Sequence, residues 1–277
     1  LDTGIFNDDK YFDVFIEYAK NNSKDIFIKI EIVNRGNEIA PITVLPTLWF
    51  YNNWQYAGEK YKPGISLLNN QSVIATHPKM GDYYLYFQEA NDILFTENET
   101  NFQRLYNRPN KSEFVKDAFH EAIINGVDFQ KLKDKKQGTK CAPVYRLQIE
   151  ARQSQSIFLR LCNKAQDNAF PKNFEEIFET RKKEADDFYE SIYPSSLTED
   201  QKNIQRQAFA GLLWNKQYYH YDVDRWLNTS DGITPISDER KYGRNYKWKY
   251  LKNQDILSMP DNWEYPWYAS WDTAFHC

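Results

Sequence analysis

The sequence predicts a chain of β + α multidomain class, an antiparallel β-sandwich followed by the opening of an all-α domain. Three observations predict it. From residue 10 to residue 162, apolar residues recur at every second position in short runs, the period of a half-buried strand. The runs follow one another without intervening amphipathic helices, which favours antiparallel pairing over βαβ units. After residue 163 the apolar period lengthens to that of a helix.

Taken in order, KYFDVFIEYAK (10–20) sets Phe12, Val14, Ile16 and Tyr18 on one face, and DIFIKIEIVNRG (25–36) does the same with Ile26, Ile28, Ile30 and Ile32 before an Asn34-Arg35-Gly36 turn. PITVLPTLWFYNNW (41–54) continues the pattern, with Pro41 and Pro46 where an edge or bulge tolerates a missing N–H. Further strands are predicted at YYLYFQ (83–88), DILFTEN (92–98), VYRLQIEA (144–151) and SIFLRLC (156–162). A short polar turn joins the last two and predicts a hairpin. In NFEEIFETRKKEADDFYESIYP (173–194), Phe174, Ile177, Phe178, Ala185, Phe188 and Ile192 recur at helical spacing, and Pro194 stops the helix. Thr198 and Gln201 resemble a capping box. Beyond it, Ile204, Ala208, Leu212 and Tyr219 mark the expected buried stripe of a long helix, and residues 228–277 read as irregular and aromatic-rich. The expected organisation is a sandwich domain over 1–165, a linker helix over 166–195 and the start of a helical domain over 196–277. One helix and a loop cannot close such a domain. That, the absent start Met and the stop at Cys277 lead to the expectation of a chain cut at both ends.

Composition narrows the function classes. There are 35 Lys and Arg against 39 Asp and Glu, a net charge of −4, which argues against a nucleic-acid partner. The basic run Lys131–Lys136 (KLKDKK) reads as a solvated loop. No apolar run reaches the ~18–20 residues of a membrane span, and no signal peptide is visible. Cys141, Cys162 and Cys277 are far apart, and the four histidines lack zinc spacing. Neither a disulfide framework, a metal nor a cofactor is therefore expected, and cysteine usage leans toward a reducing compartment such as the cytoplasm. Localisation and oligomeric state stay open. The 8 Trp, 20 Tyr and 18 Phe make up 17% of the chain. Such rings either fill a core or cover the flat C–H faces of sugars.

The densest segment is MPDNWEYPWYASWDTAFHC (259–277), where Trp263, Trp267, Tyr268 and Trp271 surround the acids Glu264 and Asp272. If the segment is helical from about residue 267, Trp267, Trp271 and Phe275 share one face, and Tyr268, Asp272 and His276 share the next. A carboxyl against apolar rings resists ionising, as a general acid must. The alternative is a helix N-cap or a hydrogen-bonded structural acid.

WEYPWYASWDTAFH resembles the W-D-x-x-F-H element of glycoside hydrolase family 63. GIFNDDKYFDVFIEYAK, VLPTLWFYNNW, FTENETN, FVKDAFHE, RQAFAGLLWNKQYYHYDVDRWL, GRN and SMPDNWEYPWYASWD also look like stretches of its large bacterial members, in the same order along essentially the whole chain. The resemblance implies a β-sandwich before an (α/α)6 barrel, here incomplete. It implies cleavage of α-glycosidic bonds with inversion, Asp272 serving as general acid and a Glu beyond Cys277 as base, the two carboxyls ~6.5–9.5 Å apart. An oligosaccharide or small glucoside is the implied substrate.

Trp263, Trp267, Tyr268 and Trp271 are candidates to stack on sugar, or to pack a core. Asn215, Lys216, Gln217, Tyr218 and Tyr219 end the expected long helix, where Gln217 and Tyr219 suit hydroxyl recognition. Glu97 and Glu99 have no assigned role. Asp222-x-Asp224 looks like half a calcium loop but lacks its Gly and distal Glu, so a solvated turn is expected. Arg244-Asn245 either reaches a hydroxyl or holds its loop. Two alternative functions are a non-catalytic carbohydrate-binding module and a phosphorylase on a similar barrel.

Overall fold

The structure, a computed structural model, describes residues 4, 6, 8, 10–54, 62–229, 236–259 and 269–275. It divides into two compact units, Leu1–Lys183 and Glu184–Cys277, and the division falls inside a helix.

In unit 1, β1 (Phe12–Asn22), β2 (Asp25–Asn34), β3 (Ala40–Val44), β4 (Leu48–Trp49), β5 (Gly64–Asn69), β6 (Ser72–His77), β7 (Gly81–Phe87), β8 (Asp92–Thr96), β9 (Gln137–Gly138), β10 (Lys140–Ile149) and β11 (Ser154–Cys162) form two sheets. The larger runs β1-β2-β11-β7-β6-β5-β9. In the smaller, β3 and β4 pair along one side of β10 and β8 along the other. Alternation sends Ile30, Ile32, Ile65, Val73, Phe87 and Leu159 of the large sheet inward to meet Phe95, Cys141, Tyr145 and Ile149 of the small one. Each such apolar side chain contributes about 1.5–3 kcal/mol.

Three helices interrupt the strand series: α1 (Phe102–Tyr106), α2 (Ala118–Asn125) and α3 (Phe129–Asp134). None was predicted between the strands; Asn101 caps α1, its side chain accepting the Arg104 N–H at 3.0 Å, and packing explains why α2 and α3 form. Phe119, Ala122 and Leu132 bury against Leu94, Ala142 and Val144 on the outer face of the small sheet, so β10 is covered on both sides. The basic run at 131–136 is accordingly not a solvated loop. Leu132 is fully buried, while Lys131 pairs with Asp128 at 2.8 Å, Lys133 with Asp92 at 2.7 Å and Lys135 with Glu97 at 3.6 Å. Opposite charges on neighbouring elements, invisible in a linear scan, hold the run.

On the far face of the large sheet, α4 (Phe174–Ile192) lays Phe174 against Phe27, ring centroids 4.2 Å apart, and buries Phe178 beside it. Asp25 and Arg160 are buried there as a two-pronged pair at 2.8 and 2.9 Å. The hairpin predicted for 144–162 does not form. β10 and β11 belong to different sheets, and the link between them crosses from one to the other. Buried Asn34 dictates the crossing: its amide donates to the carbonyls of Glu38, Ile149 and Glu150 and its oxygen accepts the Gly36 N–H.

In unit 2, the rest of α4 pairs with α5 (Glu199–Trp214) through Lys202–Glu190, Arg206–Asp186 and stacked Tyr189–Phe209. The capping box forms, Thr198 N–H donating to Gln201 Oε1 at 2.9 Å and Gln201 N–H to Thr198 Oγ1 at 3.3 Å. The stripe that packs is 202, 206 and 209. The expected one is exposed, Ile204 by 61% and Leu212 by 51%. Nor does the helix reach Tyr219: it ends at Trp214, and β12 (Lys216–Asp222) follows. After β12 come α6 (Val223–Asn228), α7 (Asp238–Tyr242), β13 (Lys252–Ser258) and α8 (Ser270–Thr273), with β13 antiparallel to β12. Among the described residues no helix is long and apolar enough to cross a membrane.

Candidate functional site

Asp272 lies in α8, a single turn in which its N–H donates to the Ala269 carbonyl at 3.0 Å and its carbonyl accepts from Phe275 N–H at 2.9 Å. Its side chain is exposed. Trp271 shares the turn, 79% exposed, and meets Phe275 at 6.2 Å between ring centroids, the predicted i, i+4 contact. Trp263, Trp267, Tyr268, Glu264 and His276 lie outside the described residues.

Gln217 and Tyr219 stand on β12 rather than at a helix end. The two-residue period of the strand puts both on its half-buried face, with Tyr218 and His220 on the exposed one. Gln217 pairs with Leu257 and Tyr219 with Asp255 across the antiparallel β12–β13 pair. Thus the structure places Trp271 beside Asp272 and Gln217 beside Tyr219, each pair on its own element. Asp222 caps α6, its carboxylate accepting the Arg225 N–H at 3.0 Å, and that hydrogen bond is the main reason its pKa is lowered. Asp224, two residues on, accepts from Asn228 Nδ2 at 3.0 Å within the helix. Arg244 is exposed, and Asn245 adopts a left-handed φ of 66° while accepting the Trp248 N–H. Among the described residues no His, Cys, Asp or Glu grouping suits a metal.

Unit 1 holds a polar cluster that sequence reasoning missed. Three separated motifs meet at one end of the sandwich. FTENETN runs beside FVKDAFHE, the Glu97 N–H donating to the Phe114 carbonyl and the Lys116 N–H to the Glu99 carbonyl. VLPTLWFYNNW joins them, because Asn98 Nδ2 donates to the Phe50 carbonyl and Trp54 Nε1 to Glu99 Oε1 at 3.2 Å. Glu99, 4% exposed, also accepts from Ser112 Oγ at 3.0 Å. Glu97 accepts from Thr139 Oγ1 at 2.9 Å. Lys62 bridges the two acids, 3.2 Å from Glu97 and 3.7 Å from Glu99, with its ammonium 6.0 Å from the Trp54 ring centre.

A buried carboxylate needs this much company, since losing water costs more than one ion pair returns. Lys62, Glu97, Lys135, Gln137 and Thr139 line a cavity of about 250 Å3. One wall is Gly138, where any Cβ would run into the Thr96 carbonyl oxygen. The available signal was the spacing of Glu97 and Glu99, which puts two acids on one face of an extended segment. Their partners come from other strands.

No protein-family model matches the chain. The chain is 36% identical over 311 residues to an uncharacterized protein of Saccharomyces cerevisiae, YMR196W, in a match that covers 98% of this chain and 28% of that protein. It therefore spans little more than a quarter of the curated relative's length. A solved chain described as a kojibiose phosphorylase from human microbiome aligns with 76% of this chain and 23% of its own, at 12% identity and a TM-score of 0.32. A likeness that slight does not establish a common fold.

Proposed function

We propose that the chain is part of an inverting α-glycosidase acting on α-glucosidic bonds, with Asp272 as the general acid. The observation that carries this reading is the ordered series of motifs resembling glycoside hydrolase family 63, from GIFNDDKYF to WEYPWYASWDTAFH. A β unit followed by a unit opening on paired helices is in keeping with a sandwich placed before an (α/α)6 barrel. Asp272 would donate its proton to the departing glycosidic oxygen. A second carboxylate, ~6.5–9.5 Å away, would draw a proton from water attacking the opposite face of the sugar. Trp271 offers an exposed ring beside the acid for the sugar's C–H face. Trp263, Trp267, Tyr268, Gln217 and Tyr219 complete the proposed substrate contacts.

The test is Asp272→Asn in a protein that continues past Cys277. Hydrolysis of α-glucosides should fall by about 10²–10⁴-fold, the usual share of a positioned acid. Turnover left nearly intact would remove Asp272 from the mechanism, and turnover that requires inorganic phosphate would make the enzyme a phosphorylase. The 277 residues alone should hydrolyse nothing.

A further inference from the structure

The cavity beside Glu97 and Lys62 belongs to unit 1, as do all the side chains that line it. The ion-pair brace fastens three loops, and its charged groups surround a cleft that opens to solvent on one side. Here about 250 Å3 stays open between charged groups. That is just under the ~300–1,000 Å3 that hold drug-sized ligands, so the space suits a single small ring.

Charge narrows the class. Lys62 and Lys135 balance Glu97 and Glu99, so the site has no net attraction for an anion or a cation. An incoming phosphate would meet the Glu97 carboxylate, and a metal ion would meet two ammonium groups. What the groups do offer is direction. Glu97 accepts hydrogen bonds, and each lysine ammonium has three donors. Among the described residues Lys135 has one partner, Glu97 at 3.6 Å, beyond hydrogen-bond length, so its donors are open to a ligand. Gln137, exposed at the rim, adds both a donor and an acceptor. A carboxylate flanked by ammonium and amide groups matches adjacent hydroxyls, each of which donates once and accepts twice.

We propose that this cavity binds one neutral, pyranose-sized polyhydroxyl ligand, its hydroxyls bridging Glu97, Lys135 and Gln137. The choice of a sugar among neutral polyols rests on the glycosidase reading; the existence and neutrality of the site do not. Glu99, held by Trp54 and Ser112, fixes Lys62 from behind and so sets the orientation of Glu97.

Titration calorimetry of the full chain with D-glucose, D-mannose and glycerol, and with inorganic phosphate as the charged probe, tests this. Saturable millimolar binding of D-glucose or D-mannose, weaker binding of glycerol and none of phosphate is the expected result. Lys135→Met should weaken it about tenfold or more, the worth of one charged hydrogen bond. Gln137→Trp, at the exposed rim, should fill the mouth and abolish binding without lowering the melting temperature, so the conclusion stands even if Lys135→Met unfolds the chain. Absence of binding by both hexoses, binding unaltered by Gln137→Trp, or saturable phosphate binding lost in that variant would each overturn the proposal. Failure here leaves the Asp272 test untouched, and loss of turnover in Asp272→Asn leaves this one untouched.

Discussion

Arg160 carries a full charge into the outer face of the large sheet, where its side chain is 8% exposed and that of Asp25 is 7% exposed. Two prongs bind Asp25, a third contact reaches the Ala169 carbonyl at 3.1 Å, and the guanidinium lies 4.9 Å from the centre of the Phe27 ring. Burial alone would raise the Asp25 pKa, but hydrogen bonds from Arg160 and Asn21 outweigh it and hold the group below its ordinary 3.8. A carboxylate depressed in the folded state stabilises it above the unfolded value and loses that contribution as pH falls through the folded one. Melting temperature should therefore drop in acid below pH 3.8, and the drop should be shallower in Asp25→Asn. At neutral pH, Arg160→Met should cost about 3–5 kcal/mol in a urea titration, because it strands a buried carboxylate.

At the scale of elements, α3 carries a single fully buried side chain, Leu132, and the helix depends on it. Leu132→Ala should cost about 2–5 kcal/mol by chemical denaturation, whereas Lys131→Ala, at an exposed pair, should cost under about 1 kcal/mol. That contrast bears on what the sequence could reveal. Strands β1, β2, β7, β8, β10 and β11 were legible as short alternating or continuous apolar runs. β5 and β6 passed unnoticed although Ile65, Val73 and Ala75 alternate inward, since Asn69, Asn70 and Gln71 break the run. β12 looked like more helix because no Gly or Pro marks residue 215; its partner β13 lies more than thirty residues on. The candidate acid was legible as a motif. The Glu97–Lys62–Lys135 cluster was not, because only tertiary structure brings its members together.

At the scale of the molecule, the two sheets of unit 1 each lock away a thiol. Cys141 on β10 is fully buried and burial pushes its pKa up to about 12; Cys162 on β11 is raised for the same reason. In a Cys277→Ser variant, neither thiol should react with an aromatic disulfide reagent under native conditions. Both should appear together as urea unfolds the unit, since thiolate and access are needed at once. The crossing between those two strands has a consequence for biogenesis. Ser154 meets Glu31 across 123 positions of chain and Arg160 meets Asp25 across 135. During synthesis the first hairpin therefore emerges with one side unclaimed, and it waits until β11 has left the ribosome. Such long closures are slow, and over that interval the nascent polypeptide is at its most exposed to aggregation and to chaperones.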